Sequence, residues 1–341
     1  MRSEITAAPA LPATTLFLGG GTPNLYPADD LVGLVTLVRE HFALPNDAEI
    51  SIECNPDLAL CESFASYVEA GITRVSFGVQ SFVPHELKTL GRRHRSEDVV
   101  EVVRRARAAG LQALSLDLIF GTPGQTLASL DVSLDAALAL DLPHLSVYGL
   151  TVEEGTPYAT WRSRMPQLFD DDVKDAALYE RVIERLSAAG YEHYELSNFA
   201  RPGSRSEHNT QYWNNDEYMG FGLGAASYQS GTRSVRTRDY QSYVAAVEAG
   251  RPVACESEHL TPAARLGEAI MLALRRREGV DAAEFARRYQ VDVCEQYAAV
   301  LQQWQELGLL EWDTQGFRLS AAGRPLANEV CAAFLAPAEY A

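Results

Sequence analysis

Along the first two hundred positions, short runs of β-branched, aromatic and leucine residues return at a steady spacing. They are TTLFL (14–18), AEISIEC (48–54), TRVSFGV (73–79), ALSLDLIF (113–120), HLSVYGL (144–150) and YEHYELS (191–197). Runs of this length, bounded by Gly, Pro and polar clusters, predict strands. Between them apolar residues recur every three to four positions, which predicts helices over 27–42, 96–110 and 170–190. Pro27 followed by Asp29 and Asp30 suits a helix start, Ser96 suits a cap and Gly110 a stop. Strands alternating with helices at this spacing argue for parallel βα units, arranged as a partial or complete barrel at least as readily as an open sheet.

The pattern then breaks. Residues 198–238 are rich in Gly, Asn, Ser and Tyr and show no clean period, so they are expected to form a long functional loop. From 239 the chain turns mostly helical, with helices expected over 239–249, 262–277, 281–289, 293–307 and 320–335 and a hairpin over 309–320. The expected organisation is a barrel-type domain over 1–198, a loop region over 199–238 and a helical domain over 239–341. Helices followed by a short hairpin resemble a winged-helix unit. That segment carries nine Arg and no Lys against fifteen Asp plus Glu, the wrong sign for a surface that holds phosphates. A packing role is the better expectation.

Composition narrows the class further. The 341 residues carry a formal net charge of −17, which repels nucleic acid and anionic lipid. The basic stretches GRRHR (91–95) and LRRRE (274–278) are short. Nucleic acid is therefore not expected as a partner, and membrane contact is expected to be transient at most. Five cysteines, at 54, 61, 255, 294 and 331, are odd in number and lack zinc or iron–sulfur spacing. Reduced thiols in a cytoplasmic protein are the natural reading. The opening residues have no sustained apolar core, and no run is long enough to span a membrane.

Parallel α/β folds hold ligands at the carboxyl ends of their strands, so the residues following each run carry the chemistry. After the first run comes Gly19-Gly20-Gly21-Thr22-Pro23. The second ends at Glu53, with Asn55 and Pro56 next. Gly78, Gln80 and, a dozen residues on, Arg92 follow the third, while the fourth carries Asp117 and leads into Gly121-Thr122-Pro123-Gly124. The glycine run is neither a phosphate-loop signature nor a dinucleotide fingerprint. Each feature alone has an ordinary structural explanation, Asp117 least so, because a lone carboxylate inside an apolar run is costly. Together they suit a zwitterionic ligand with hydroxyls. Backbone carbonyls and Thr22 meet an ammonium, Arg92 a carboxylate in bidentate fashion, and Glu53 a ribose diol. A glycosidase built on Glu53 and Asp117 is the rival, but it leaves the glycines, Gln80 and Arg92 without work.

LGGGTP, IECNPD, RVSFGVQSF, LKTLGRRH and LDLIFGTPGQT stand in the order and spacing of radical S-adenosylmethionine proteins. The chain resembles the oxygen-independent coproporphyrinogen III oxidase family throughout its length. HNTQYW (208–213) is similar to the signature of the heme-chaperone branch of that family. The resemblance implies that Gly20, Gly21, Thr22, Glu53, Gln80, Arg92 and Asp117 contact S-adenosylmethionine. It implies that His208, Asn209, Tyr212 and Trp213 form a heme-associated motif, with His208 a candidate iron ligand. Function is then expected to be heme delivery to an acceptor protein, with oxidative decarboxylation of coproporphyrinogen III as the alternative. An electron donor and a homodimer are partners it leaves open.

Family members carry C-x-x-x-C-x-x-C, which holds a 4Fe–4S cluster, on a unit preceding the GGGTP strand. No such motif occurs in these 341 residues. The expected fold is therefore a partial (βα) barrel of the radical S-adenosylmethionine type missing its first unit, followed by the winged-helix-like domain. Two explanations stand. A misplaced start or truncation is favoured, because the residues expected to hold S-adenosylmethionine are intact; the other is a cluster-free relative that binds S-adenosylmethionine and heme. As written, the chain is not expected to assemble the cluster or to catalyse radical chemistry.

Overall fold

The computed structural model describes residues 1–169, 171–253 and 255–335. Two compact units emerge: residues 13–36 with 45–206, and residues 1–12 with 37–44 and 207–335.

The first unit is built on a seven-stranded sheet. Its strands are β1 (Thr15–Leu18), β2 (Glu49–Cys54), β3 (Arg74–Gln80), β4 (Ala113–Phe120), β5 (His144–Gly149), β6 (Glu192–His193) and β7 (Asn198–Ala200), in the order β1-β2-β3-β4-β5-β7-β6. β1 to β5 are parallel, as the alternating pattern predicts. Helices Ala28–His41, Ser96–Ala108, Leu127–Ala139 and Asp172–Ala188 supply the intervening crossovers. Ile50, Ile52, Val75, Phe77, Leu114, Leu116, Leu118, Leu145 and Val147 are at most 1% exposed. These positions alternate along their strands and share one face by register, while the residues between them, among them Ser51, Glu53, Arg74, Ser76, Ser115, Asp117 and Ser146, put polar groups on the other. Each large apolar side chain contributes about 1.5–3 kcal/mol on burial.

The last strand of this unit departs from expectation. Instead of one run over 191–197, the chain makes two short strands, and β7 is antiparallel to β5 and β6. Glu195 turns it: its carboxylate accepts from Ser197 N at 3.0 Å, while its carbonyl accepts from Asn198 N at 3.3 Å. Ser96 does not cap its helix either. Arg95 occupies the cap, Asp98 accepts from Arg95 N at 2.8 Å, and the Ser96 hydroxyl donates to Phe82 O at 3.0 Å. Residue 170, first of the expected helix 170–190, lies outside the described residues.

The second unit absorbs most of the segment expected to be a loop. Residues 207–213 form a helix, and β8 (Ala226–Gln229) and β9 (Thr232–Arg236) pair with β10 (Cys255–His259) in an antiparallel sheet. That pairing ties 226–236 to the later chain, so the expected boundary at 238 gives way to one at 206/207. Helices Tyr240–Glu248, Pro262–Leu274 and Ala282–Tyr289 follow, with β11 (Val280–Asp281), β12 (Leu310–Asp313) and β13 (Gly316–Leu319) forming a small sheet. The expected helix 293–307 is broken at Tyr297, and the expected helix 320–335 runs only from Ala327 to Leu335. Residues 320–326 instead turn against β12, because Ser320 N donates to Leu309 O at 3.0 Å and the Ser320 hydroxyl accepts from Gly323 N.

Beneath the loops after β3 and β4 lies a fully buried carboxylate, Glu86. It accepts from the hydroxyls of Ser81 and Ser129, both at 2.6 Å, and from Gln125 Nε2 at 3.1 Å. Gln125 Oε1 in turn accepts from Gly121 N at 2.8 Å, which joins the two loops through one acidic group. Two of its three donors, Ser81 and Gln125, are buried as well and have no water to turn to. Glu86→Ala is expected to destabilise the fold by roughly 3–5 kcal/mol, read as a lower urea midpoint with an unchanged slope.

Candidate functional site

The carboxyl edge of the sheet in the first unit collects most of the residues singled out in the sequence. Gly20, at φ +84°, donates its N–H to Glu53 Oε2 at 3.2 Å. A Cβ placed on Gly20 or Gly21 would find no atom within 4 Å, so the backbone of this loop faces open space. The Thr22 hydroxyl is spent locally, donating to Gly21 O at 2.8 Å. At the end of β3 the register against β4 shifts between Gly78 and Gln80, and Gln80 takes the left-handed φ of +69°. A side chain at Gly78 would stand 3.0 Å from Gln80 Nε2 and 3.7 Å from Arg92 Nη2; the bare glycine gives both groups their room.

Asp117 on β4 accepts from the Ser76 hydroxyl at 2.7 Å and also bonds the Ser146 side chain. Gly78 and Ser146 are its register partners on the two flanking strands. Burial pushes Asp117 up to about 6, against the pull of Ser76, Ser146 and Arg92. Burial likewise lifts Glu53 to about 7, helped by the charge of Asp117 and opposed by the Gly20 N–H. The Arg92 guanidinium moves the other way, lowered by burial and partly restored by Asp117. Two acids and one cation thus feel each other's field at one edge. Ser76 and Ser146 were not singled out in the sequence. The signal that finds them is register, since each lies on a strand beside the one bearing Asp117.

The candidate heme residues belong to the second unit. His208, Asn209, Tyr212 and Trp213 lie on the helix Glu207–Trp213. The four-residue spacing puts His208 and Tyr212 on one face. His208 Nε2 meets the Tyr212 hydroxyl at 3.0 Å, their rings 5.0 Å apart and nearly perpendicular. Tyr218 packs edge-on to Tyr212 at 4.8 Å. Trp213 lies under the Arg275 guanidinium at 5.9 Å, and its buried Nε1 has no hydrogen-bond partner. The side chains offer flat apolar area, an imidazole and an unspent N–H, a set that suits a polar-edged macrocycle.

Residues 2–137 match the model of the radical SAM superfamily, and residues 260–326 match the HemN C-terminal domain. The chain is 37% identical over 323 residues to the heme chaperone HemW of Bacillus subtilis, covering 94% of this chain and 85% of that protein. It is 38% identical over 318 residues to the Mycobacterium tuberculosis HemW, covering 93% and 79%. The chain belongs to the HemW family. Among solved structures, coproporphyrinogen III oxidase (HemN) from Escherichia coli superposes with a TM-score of 0.83 at 22% identity, over 98% of this chain and 81% of that one. That likeness establishes the fold, a radical SAM-type α/β sheet followed by a helical region.

A radical SAM-type cluster needs three thiolates at one place. Cys54, Cys61 and Cys331 are buried and Cys255 is exposed, and no three metal-binding side chains gather among the described residues. Burial raises Cys54 well above the usual thiol range and pushes Cys61 up to about 12, so both stay protonated. The Cys61 thiol is itself a donor, to Asn55 O at 3.4 Å. The cysteines of this chain do not fit the cluster. Among the described residues no helix is long and apolar enough to cross a membrane.

The raised carboxyls of this HemW-family chain carry a pH signature. Both Glu53 and Asp117 bind a proton more tightly folded than unfolded, so the folded state loses stability as pH rises. The window runs from 4.5 to about 7 for Glu53 and from 3.8 to about 6 for Asp117. Glu53→Gln should match the parent protein at pH 5, where Glu53 is mostly protonated, and melt at a higher temperature at pH 8. Thermal melts at the two pH values check this. A variant less stable at pH 8 would mean that the ionised carboxylate is the favoured partner of the glycine loop.

Proposed function

We propose that this chain is a heme chaperone, binding heme on the second unit and passing it to an acceptor apoprotein. The observation that carries this reading is the 37% identity to the B. subtilis heme chaperone, sustained over 94% of the chain. The helix Glu207–Trp213, with its imidazole and aromatic faces, supports it chemically. His208 would serve as the iron ligand, and Asn209, Tyr212 and Trp213 would flank the macrocycle. Ligation through Nε2 requires the bond to the Tyr212 hydroxyl to open.

S-adenosylmethionine is proposed as the occupant of the carboxyl edge of the sheet. Gly20, Gly21 and Thr22 would receive the methionyl end, Glu53 the ribose hydroxyls and Arg92 the carboxylate, with Gln80 and Asp117 beside them. The open backbone at Gly20 and Gly21 and the paired acids and guanidinium support this assignment. When bound, the cofactor supplies a cationic sulfonium and an adenosyl group. Glu53 and Asp117 would offer that cation a site where their own ionisation is restored, since a nearby positive charge lowers a raised carboxyl pKa. A cytoplasmic site of action and a homodimer belong to the same proposal; an electron donor would have a role only together with the cluster, which the cysteines of this chain do not fit. The alternative, oxidative decarboxylation of coproporphyrinogen III, has only the shared fold in its favour.

Anaerobic titration with hemin is expected to give a retained complex with a Soret band, and the same protein should leave coproporphyrinogen III unconverted. His208→Ala is expected to shift the Soret maximum and weaken heme binding about tenfold, ~1.4 kcal/mol. Unchanged binding by this variant would remove His208 from the ligand role, and no heme binding at all by the parent protein would remove the carrier function.

A further inference from the structure

Three loops at the carboxyl edge of the sheet meet through two asparagines. Asn24, only 4% exposed, lies in the single turn Pro23–Leu25 that follows the glycine loop. Its Oδ1 accepts from Asn55 N at 3.0 Å, and its Nδ2 donates back to Asn55 O at 3.1 Å. One planar amide thus satisfies both polar groups of the Asn55 backbone, as a neighbouring strand would. The same Nδ2 reaches Leu60 O at 3.4 Å, and the Cys61 thiol adds a second donor to Asn55 O. The Asn55 backbone is therefore clamped just beyond Glu53 and the end of β2.

Its side chain faces the other way, toward Arg92. Asn55 Oδ1 accepts from Arg92 Nη1 at 2.8 Å. Among the described residues this is the one hydrogen bond of the Arg92 guanidinium, and its remaining N–H groups have no protein acceptor. An arginine side chain has about 2 kcal/mol of rotamer freedom to lose, and burial has already stripped part of its water. One neutral bond from a clamped residue sets its position while its charge and its other donors stay available for a bidentate anion.

We infer that Asn24 and Asn55 are positioning residues: Asn24 fixes the Asn55 peptide, and Asn55 holds the Arg92 guanidinium ready for the carboxylate of the ligand. The inference rests on the proposed assignment of S-adenosylmethionine to this edge. The identity of Asn24 is specified by the geometry. Aspartate would set a negative oxygen against Asn55 O, serine is too short to span both groups, and alanine leaves Asn55 N without its acceptor and Asn55 O with only the Cys61 thiol.

The test combines binding with side-chain spectroscopy on the full chain. Asn55→Ala and Asn24→Ala are each expected to weaken S-adenosylmethionine binding about tenfold in calorimetry, ~1.4 kcal/mol. In an Arg92→Lys background Asn55→Ala should change affinity by less than about twofold, because the two residues act as one unit. Equal losses in both backgrounds would overturn the inference. With arginine-selective 15N labelling, the Arg92 Nη resonances should show slowed rotation in the parent protein and lose it in Asn55→Ala. Asn55→Asp keeps the acceptor oxygen and the side-chain shape, so it should retain the slowed rotation and guards against a folding artefact. If the parent protein binds no S-adenosylmethionine, the cofactor assignment fails. The Arg92 resonances then decide the positioning on their own, and signals unaltered by Asn55→Ala would overturn it.

Discussion

Two carboxyl groups and one guanidinium share the end of a sheet that is apolar on one face and polar on the other, and much of the first unit is arranged around keeping those three groups there. Glu53 and Asp117 cannot both ionise there cheaply, because burial and mutual repulsion both favour the neutral form. The fold answers with small, directed donors: the Gly20 N–H for Glu53, and the Ser76 and Ser146 hydroxyls for Asp117. Arg92 contributes a charge without forming an ion pair with either, since its hydrogen bond goes to a neutral amide. The result is a polar edge held short of full neutralisation, and that incompleteness is what would suit the charged, hydroxylated ligand proposed for it.

Rigidity at this edge comes from beneath. Parallel strands bring their carboxyl ends together but do not fix the loops that follow, and two separate hydrogen-bond systems do so here. Glu86 gathers the loops after β3 and β4 from below, while the Asn24–Asn55 clasp binds the glycine loop to the loop after β2. Both use side chains that accept or donate several bonds at once. A loop held in this way keeps a left-handed Gln80 and an open Gly20 that would otherwise relax.

Much of the first unit was legible in the sequence, and the reasons are local. β1 to β5 show because β-branched, aromatic and leucine residues recur along each of them, and Gly20, Glu53, Gln80, Arg92 and Asp117 lie at or after strand ends, where parallel topology predicts chemistry. The β6–β7 turn escaped because it depends on the Glu195 side chain reaching the Ser197 N–H, which no periodicity records. The helix Glu207–Trp213 escaped for another reason: none of its seven residues is fully buried, so it has no apolar stripe. β8 and β9 are short and half-covered, and only their pairing with β10 reveals them as strands. Asn24 was not singled out, because its two-way bond to Asn55, thirty-one positions away, is a tertiary fact. The motif around His208 was visible through resemblance alone.

The bond between His208 and Tyr212 has a consequence for a carrier. In this structure the imidazole already has a partner, and burial keeps the Tyr212 phenol protonated by raising its pKa. If His208 ligates iron as proposed, the metal would displace that hydroxyl at a cost of about 1 kcal/mol, the net worth of such a bond. The same hydroxyl, four residues along the helix, would be able to reclaim the ring when iron leaves. For a storage protein this would be a defect. For a courier it lowers the cost of handing over the cargo, because the vacated ligand does not return to the unpaired state.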